Sequence, residues 1–255
     1  MRLDKYLSDM GLASRAELKK EIRGGLITVD GEVVRDPGFH VTENAEICRR
    51  GAPVRYESFV YYMLNKPAGV ISATEDRRLK TVLDLLPKEH RKGIAPVGRL
   101  DKDTVGLLLL TNDGELAHRL LSPKRHVDKV YFTRVRGEIT EDDVRAFSEG
   151  LRVSEDFLCL PAVLEILSVL PADAAREAVS EARVTIREGK FHQIKRMFEA
   201  IGKEVIYLKR LSMGPLQLDP ALPEGSCRRL TEDELVSLQN LNYSYEVTPS
   251  QSQTC

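Results

Sequence analysis

The segment VGRLDKDTVGLLLLTNDG, residues 97–114, places Arg99, Asp101, Lys102 and Asp103 in a polar turn between Gly98 and Gly106, then runs straight into the apolar LLLL. A charged turn fastened to a buried strand presents a carboxylate at the edge of a sheet, where a rigid scaffold can hold it for nucleophilic or acid–base work. A surface turn with internal ion pairs would have the same residues, so the segment alone leaves both readings open.

Two further segments carry cations in company. In EGKFHQIKRMFEAIG, residues 188–202, a helix from Phe191 would bury Phe191, Ile194, Phe198 and Ile201 and leave His192, Lys195, Arg196 and Glu199 beside the other face. Cations in a first helical turn oppose the helix dipole, so their placement points to a carboxylate or phosphate partner. In SPKRHVDKVYFTRVRG, residues 122–137, Lys124, Arg125, Lys129, Arg134 and Arg136 interleave with Tyr131 and Phe132. Cations neutralise phosphate and rings stack on unpaired bases, although a strand tyrosine can equally be core.

The elements that would position these groups are legible in part. Leu3, Tyr6, Leu7 and Met10 predict a first helix ending at Gly11, and Ser14 with Glu17 forms a capping box that opens a second, with Leu18 and Ile22 inward and Gly24-Gly25 closing it. LITV and EVVR around Asp30-Gly31 predict a hairpin, with a further strand near Ala45–Cys48. Residues 49–58, RRGAPVRYES, lack periodicity and read as a linker. Beyond it FVYYML, AGVISA, VGLLLLT, VYFTRVRG, AVLEILSVL, EARVTI and EVIYLKRL are strand candidates, with helices at 114–121, 141–149, 191–201 and 232–239. Strands outnumber helices without alternating with them, so the fold expected is α+β, with a small helix-helix-hairpin unit before a large mixed or antiparallel sheet.

Composition narrows the function. At 255 residues, 42% hydrophobic and 30% charged, the chain can bury a core and is not a disordered one. The net charge of −1 conceals segregation: residues 61–137 hold fifteen Lys and Arg against nine Asp and Glu, and 138–181 hold three against eleven, so a phosphate-rich partner has a basic stretch to meet. Neither an eighteen-residue apolar run nor an apolar leader is present, which leads us to expect a cytoplasmic protein without membrane attachment. Cys48, Cys159, Cys227 and Cys255 are scattered outside any metal-ligand spacing. Phosphate loops, GxGxxG, GxSxG and HExxH are absent, which leaves carboxylate chemistry with no metal or cofactor as the expectation.

Taken together, GRLDKDTVGLLLLTNDG, DKVYF and GKFHQIKRMFEAIG, with YYMLNKPAG, resemble the motifs of the bacterial ribosomal RNA pseudouridine synthases from about Phe59 to Glu234, and LASRAELKKEIRGGLITVDGEVV resembles the small α-L RNA-binding domain of a ribosomal small-subunit protein. The resemblance implies an RNA-binding domain over 1–50 and a synthase domain over 59–240; residues 241–255, ending in the polar VTPSQSQTC, read from composition as a flexible tail. It implies that Asp101 is the catalytic aspartate, Tyr131 the aromatic against the target base, Lys195 the basic residue paired with the aspartate (with Arg196 as the alternative) and Arg99 the side chain associated with displacing the target nucleotide. Arg15, Lys19, Arg23, Lys129, His192 and Arg196 are the expected RNA contacts, and ribosomal RNA or a ribosomal subunit assembly intermediate the expected partner of a monomer. PAVLEI at 161–166 resembles the small-subunit branch, so 16S rRNA is expected, with 23S rRNA the alternative. Two other readings stay open. One is a non-catalytic RNA-binding assembly factor. The other is a sugar hydrolase, which would need a second acid about 5–9.5 Å from Asp101; Asp103 is the nearby candidate, expected to face away.

Overall fold

The computed structural model describes residues 1–10, 12–42, 44–54, 59–87, 90–172 and 177–241, and of Lys124 the backbone alone. Gly11, residues 55–58 of the expected linker and the tail beyond Leu241 lie outside them. The chain forms two compact units, one of Met1–Val60 with Leu83–Ile94, the other of Tyr61–Val82 with residues from 95 onward.

The first unit follows its local signals. Helix α1 (Leu3–Asp9) buries Leu3, Tyr6 and Leu7. Helix α2 (Arg15–Arg23) opens with the expected capping box, Ser14 Oγ accepting from the Glu17 amide and the Ser14 amide donating to Glu17, and buries Leu18 and Ile22 completely. Strands β1 (Ile27–Val29) and β2 (Glu32–Val33) pair through Asp30 and Gly31, both at positive φ (51° and 84°), the conformation this dipeptide favours. Strands β3 (Ile47–Arg49) and β4 (Ala52–Val54) complete an antiparallel sheet in the order β2-β1-β3-β4. The linker reading of residues 49–58 is therefore corrected for 49–54. A second tight turn at Arg50-Gly51 (φ 53° and 81°) folds three-residue strands that are too short to show alternation.

The second unit is built on a nine-stranded sheet. Its strands are β5 (Tyr61–Lys66), β6 (Ala95–Pro96), β7 (Val105–Thr111), β8 (Lys129–Arg136), β11 (Val163–Leu170), β12 (Val179–Ile186), β13 (Glu204–Met213), β14 (Leu216–Gln217) and β15 (Cys227–Arg229), while β9 (Arg152–Ser154) and β10 (Phe157–Leu158) make a separate hairpin. The order β11-β12-β8-β13-β7-β5-β15, with β14 on β13 and β6 on β7, is antiparallel except for β13 beside β7, so the sheet is mixed. The run VGLLLLT is buried at every position, as a central strand covered on both faces must be. AGVISA is not a strand; after Pro67 the chain turns, and Ile71 makes a single bridge to Thr81. Helices α3 (Gly114–Leu121), α4 (Glu141–Glu149) and α6 (Glu232–Asn240) start at the expected caps Asp113, Thr140 and Thr231. Helix α5 (Gln193–Ala200) packs on α4 through Phe198 against Phe147, ring centroids 5.0 Å apart. Among the described residues no helix is long and apolar enough to cross a membrane.

Candidate active site

The turn carrying Asp101 connects β6 to β7 and is held from beneath. Lys66, the last residue of β5, is fully buried, and its ammonium donates to the carbonyl oxygens of Pro67 (3.1 Å), Asp101 (3.0 Å), Lys102 (3.4 Å) and Thr104 (2.8 Å). Burial pushes this lysine down to about 8, against the opposing pull of Asp103, Asp101 and Glu224. The Thr104 amide donates back to the Asp101 carbonyl (3.1 Å), and Ser72 Oγ both accepts from the Leu100 amide (3.0 Å) and donates to its carbonyl (2.8 Å). Gly106 admits the close crossing of β13: it sits at φ 99°, and a β-carbon there would lie 2.3 Å from the Arg210 carbonyl oxygen. Sequence reasoning recorded YYMLNKPAG without singling out Lys66. The available signal was an Asn-Lys pair closing the apolar run Tyr61–Leu64.

The opposite wall comes from the loop before α5. His192 adopts the left-handed conformation (φ 51°, ψ 30°), which costs a non-glycine residue roughly 1 kcal/mol or more. The loop is clamped by buried Gln193, whose amide nitrogen donates to Glu188 (2.7 Å) while its oxygen accepts from the Lys190 amide (3.1 Å); Glu188 also accepts from the Leu160 amide (2.8 Å). Because the helix starts at Gln193, Phe191 is not in the buried stripe: it is 69% exposed, and Met197 takes the place expected for it inside.

These walls bring the expected groups together. Asp101 is three-quarters buried, with His192 Nε2 3.4 Å from one carboxylate oxygen and Lys195 Nζ 3.4 Å from the other. Tyr131, 7% exposed on β8, faces the same cleft, and exposed Arg99 lies on its rim without an ion pair among the described residues. The cleft has a volume of about 70 Å³ and is floored by Ile186 and Leu208. Between Lys195 and Arg196 the geometry is decisive. Lys195 faces Asp101, whereas the Arg196 guanidinium lies 4.9 Å over the Phe157 ring, beside the Lys190 ammonium at 4.0 Å.

Two expectations need correction. Asp103 does not face away: it takes the closer grip on Lys195, at 2.6 and 2.8 Å, because residues 102–103 remain in the turn and β7 begins only at Val105. Burial raises the Asp103 carboxyl, but the Lys195 hydrogen bond and charge overcome it and leave it below its ordinary value. An acid held ionised in this way is the opposite of the proton donor a hydrolase needs. Lys129, expected on the RNA surface, points inward. On β8 it shares the buried alternation of Tyr131 and Thr133, its ammonium donates to the Val127 carbonyl (3.2 Å), and burial followed by the nearby Arg210 charge lowers it to about 8. In the first unit Arg15 and Arg23 are exposed and Lys19 half-buried at four-residue spacing on α2, none in an ion pair among the described residues.

Comparison with known proteins identifies the family. Residues 60–200 match the RNA pseudouridylate synthase family and residues 1–47 the S4 domain. The chain is 48% identical over 237 residues to the RNA pseudouridine synthase YtzG of Bacillus subtilis (92% of this chain, 97% of the relative). It is 38% identical over 240 residues to ribosomal small subunit pseudouridine synthase A of Escherichia coli K12 (93% and 100%). A crystal structure of a pseudouridylate synthase superposes with a TM-score of 0.64 at 34% identity, covering 93% of this chain and 99% of that one. With the family model matching residues 60–200, more than half of the chain, after an S4 domain over 1–47, and with relatives matched over nearly their whole length, the chain belongs to the RNA pseudouridylate synthases.

Proposed function

We propose that this enzyme converts uridine to pseudouridine at a site in 16S ribosomal RNA, with Asp101 as the group that acts on the nucleoside. The carrying observation is the Asp101 carboxylate set between His192 and Lys195, 3.4 Å from each, in the cleft that Tyr131 faces. The reaction breaks the bond from C1′ to N1, turns the uracil and joins C1′ to C5; the C5 proton leaves and N1 takes one up, so atoms balance without a co-reactant. Asp101 supplies the negative charge or nucleophile beside the sugar and base, with the Lys195 ammonium 3.4 Å away as its counter-charge. Tyr131 lies against the base and stands where the C5 proton must go. Arg99 fills the place of the extruded nucleotide, and His192, half-exposed Arg196 and the α2 cations Arg15, Lys19 and Arg23 hold the RNA backbone. Residues 1–50 serve as the RNA-anchoring domain and 59–240 as the catalytic one, in a cytoplasmic monomer working on rRNA or on an assembling subunit. The small-subunit assignment is supported by the Escherichia coli relative, a ribosomal small subunit pseudouridine synthase that is matched over its whole length.

The test is a pseudouridine map of rRNA from cells lacking the protein, complemented with wild type or Asp101→Asn. One 16S position should disappear and return only with wild type. A lost 23S position moves the substrate to the large subunit, and an unchanged map replaces the enzyme with a non-catalytic assembly factor.

A further inference from the structure

Phe191 is a large apolar ring displayed to solvent, 69% exposed, in the residue before His192. Packing does not account for it. The buried face of α5 is made by Ile194, Met197 and Phe198, and Phe191 contributes to none of it. Nor does the ring dangle: it stacks on His192, centroids 3.8 Å apart and planes within 18°. The loop that presents the pair is fixed at Glu188 and Gln193, and at Lys190 over Phe157. His192 thus gives an edge nitrogen to Asp101 and a face to Phe191, leaving the outer face of Phe191 free one ring away from the reacting carboxylate. Arg99, exposed and without an ion pair among the described residues, lines the same cleft and supplies a charge for phosphate.

A flat, solvent-facing ring on a fixed loop is an arrangement that stacks on a nucleobase whatever its identity, and a cation in the adjoining cleft suits the phosphate next to it. We infer that the outer face of Phe191 is a subsite for a base adjoining the target uridine in the RNA strand. This rests on the reading of RNA as substrate and adds to it a defined contact outside the reacting nucleotide. Removing the target uridine from its stack leaves its neighbours without a partner, and Phe191 offers one of them a replacement surface.

The chain contains no tryptophan, so Phe191→Trp creates a single reporter at the subsite. Its emission should be quenched saturably by a protein-free 16S rRNA transcript and unaffected by inorganic polyphosphate, which offers charge without bases. Phe191→Leu keeps apolar bulk without a π face and should raise KM for the transcript by about fivefold or more, with Phe191→Tyr restoring it. The wild type is assayed in parallel for tritium release from 5-tritiated uridine in 16S and 23S rRNA, offered both as transcripts and in partly assembled subunits. An active wild type with a silent tryptophan, or with an unchanged KM in Phe191→Leu, overturns the stacking subsite alone; that is also the outcome if the ring serves a protein partner instead. A wild type that turns over none of these substrates overturns the substrate reading beneath it.

Discussion

At the scale of single residues, Asp101 and Asp103 present a contrast that activity can read. Both touch Lys195, but only Asp101 also faces His192 and lies in the cleft with Tyr131. Asp101→Asn keeps shape and removes charge, so turnover should fall by at least about a thousandfold while RNA affinity in filter binding is kept. Asp103→Asn should cost turnover less than about tenfold; equal losses would mean that the reaction needs both carboxylates. Lys66 allows a test through pH. Its folded pKa of about 8 lies below the ordinary 10.5, so between those values the unfolded chain binds the extra proton and folding is favoured as pH rises. The unfolding free energy of wild type should therefore gain on that of Lys66→Met from about pH 8 to 10.5, and parallel curves over that window would contradict the depressed pKa. The resemblance made the meeting of Asp101, Tyr131 and Lys195 in one cleft legible in the sequence. The part played by Lys66 was not, because its partners are backbone carbonyls, some more than thirty residues distant, which carry no side-chain signature. The inward direction of Lys129 could have been read, since it has the same parity on the strand as Tyr131.

At the scale of elements, legibility followed the strength of local chemistry. Caps at Asp113, Thr140 and Thr231 and the Asp30-Gly31 turn fix their elements with contacts of three residues or fewer, and each stands where the sequence placed it. AGVISA was misread because an apolar run suits a buried loop as well as a strand, and only pairing decides between them. The start of α5 was misread because left-handed His192 is held by Glu188 and Gln193, not by its own propensity. The crossing of β7 and β13 is the most sensitive junction. Gly106→Ala adds a carbon 2.3 Å from a carbonyl oxygen at a backbone conformation alanine resists, and should cost about 3 kcal/mol or more, on the order of 10 °C in Tm. Thermal melts followed by circular dichroism measure this; a shift under 2–3 °C would show that the sheet yields there easily.

At the scale of the whole molecule, the chain enters the first unit twice, since Leu83–Ile94 belongs with Met1–Val60. Truncation at residue 50 or 60 would strand that segment, so the RNA-anchoring role of α2 is better tested by substitution. Replacing Arg15, Lys19 and Arg23 together with alanine should flatten the slope of log affinity against log salt by about 2 to 3, because each lost phosphate contact removes one released counterion. An unchanged slope would place the anchoring cations elsewhere. The catalytic sheet holds a different kind of cation. Lys66, Arg210 and Lys129 are each 8% exposed or less and have no ion pair among the described residues, and Arg210 keeps one guanidinium nitrogen without any hydrogen-bond partner. These three act as internal fasteners: Lys66 and Lys129 donate to the Thr104 and Val127 carbonyls and Arg210 Nε to the Leu107 carbonyl, so the sheet is braced by buried charges that salt in the solvent screens far less than it screens the exposed cations of α2.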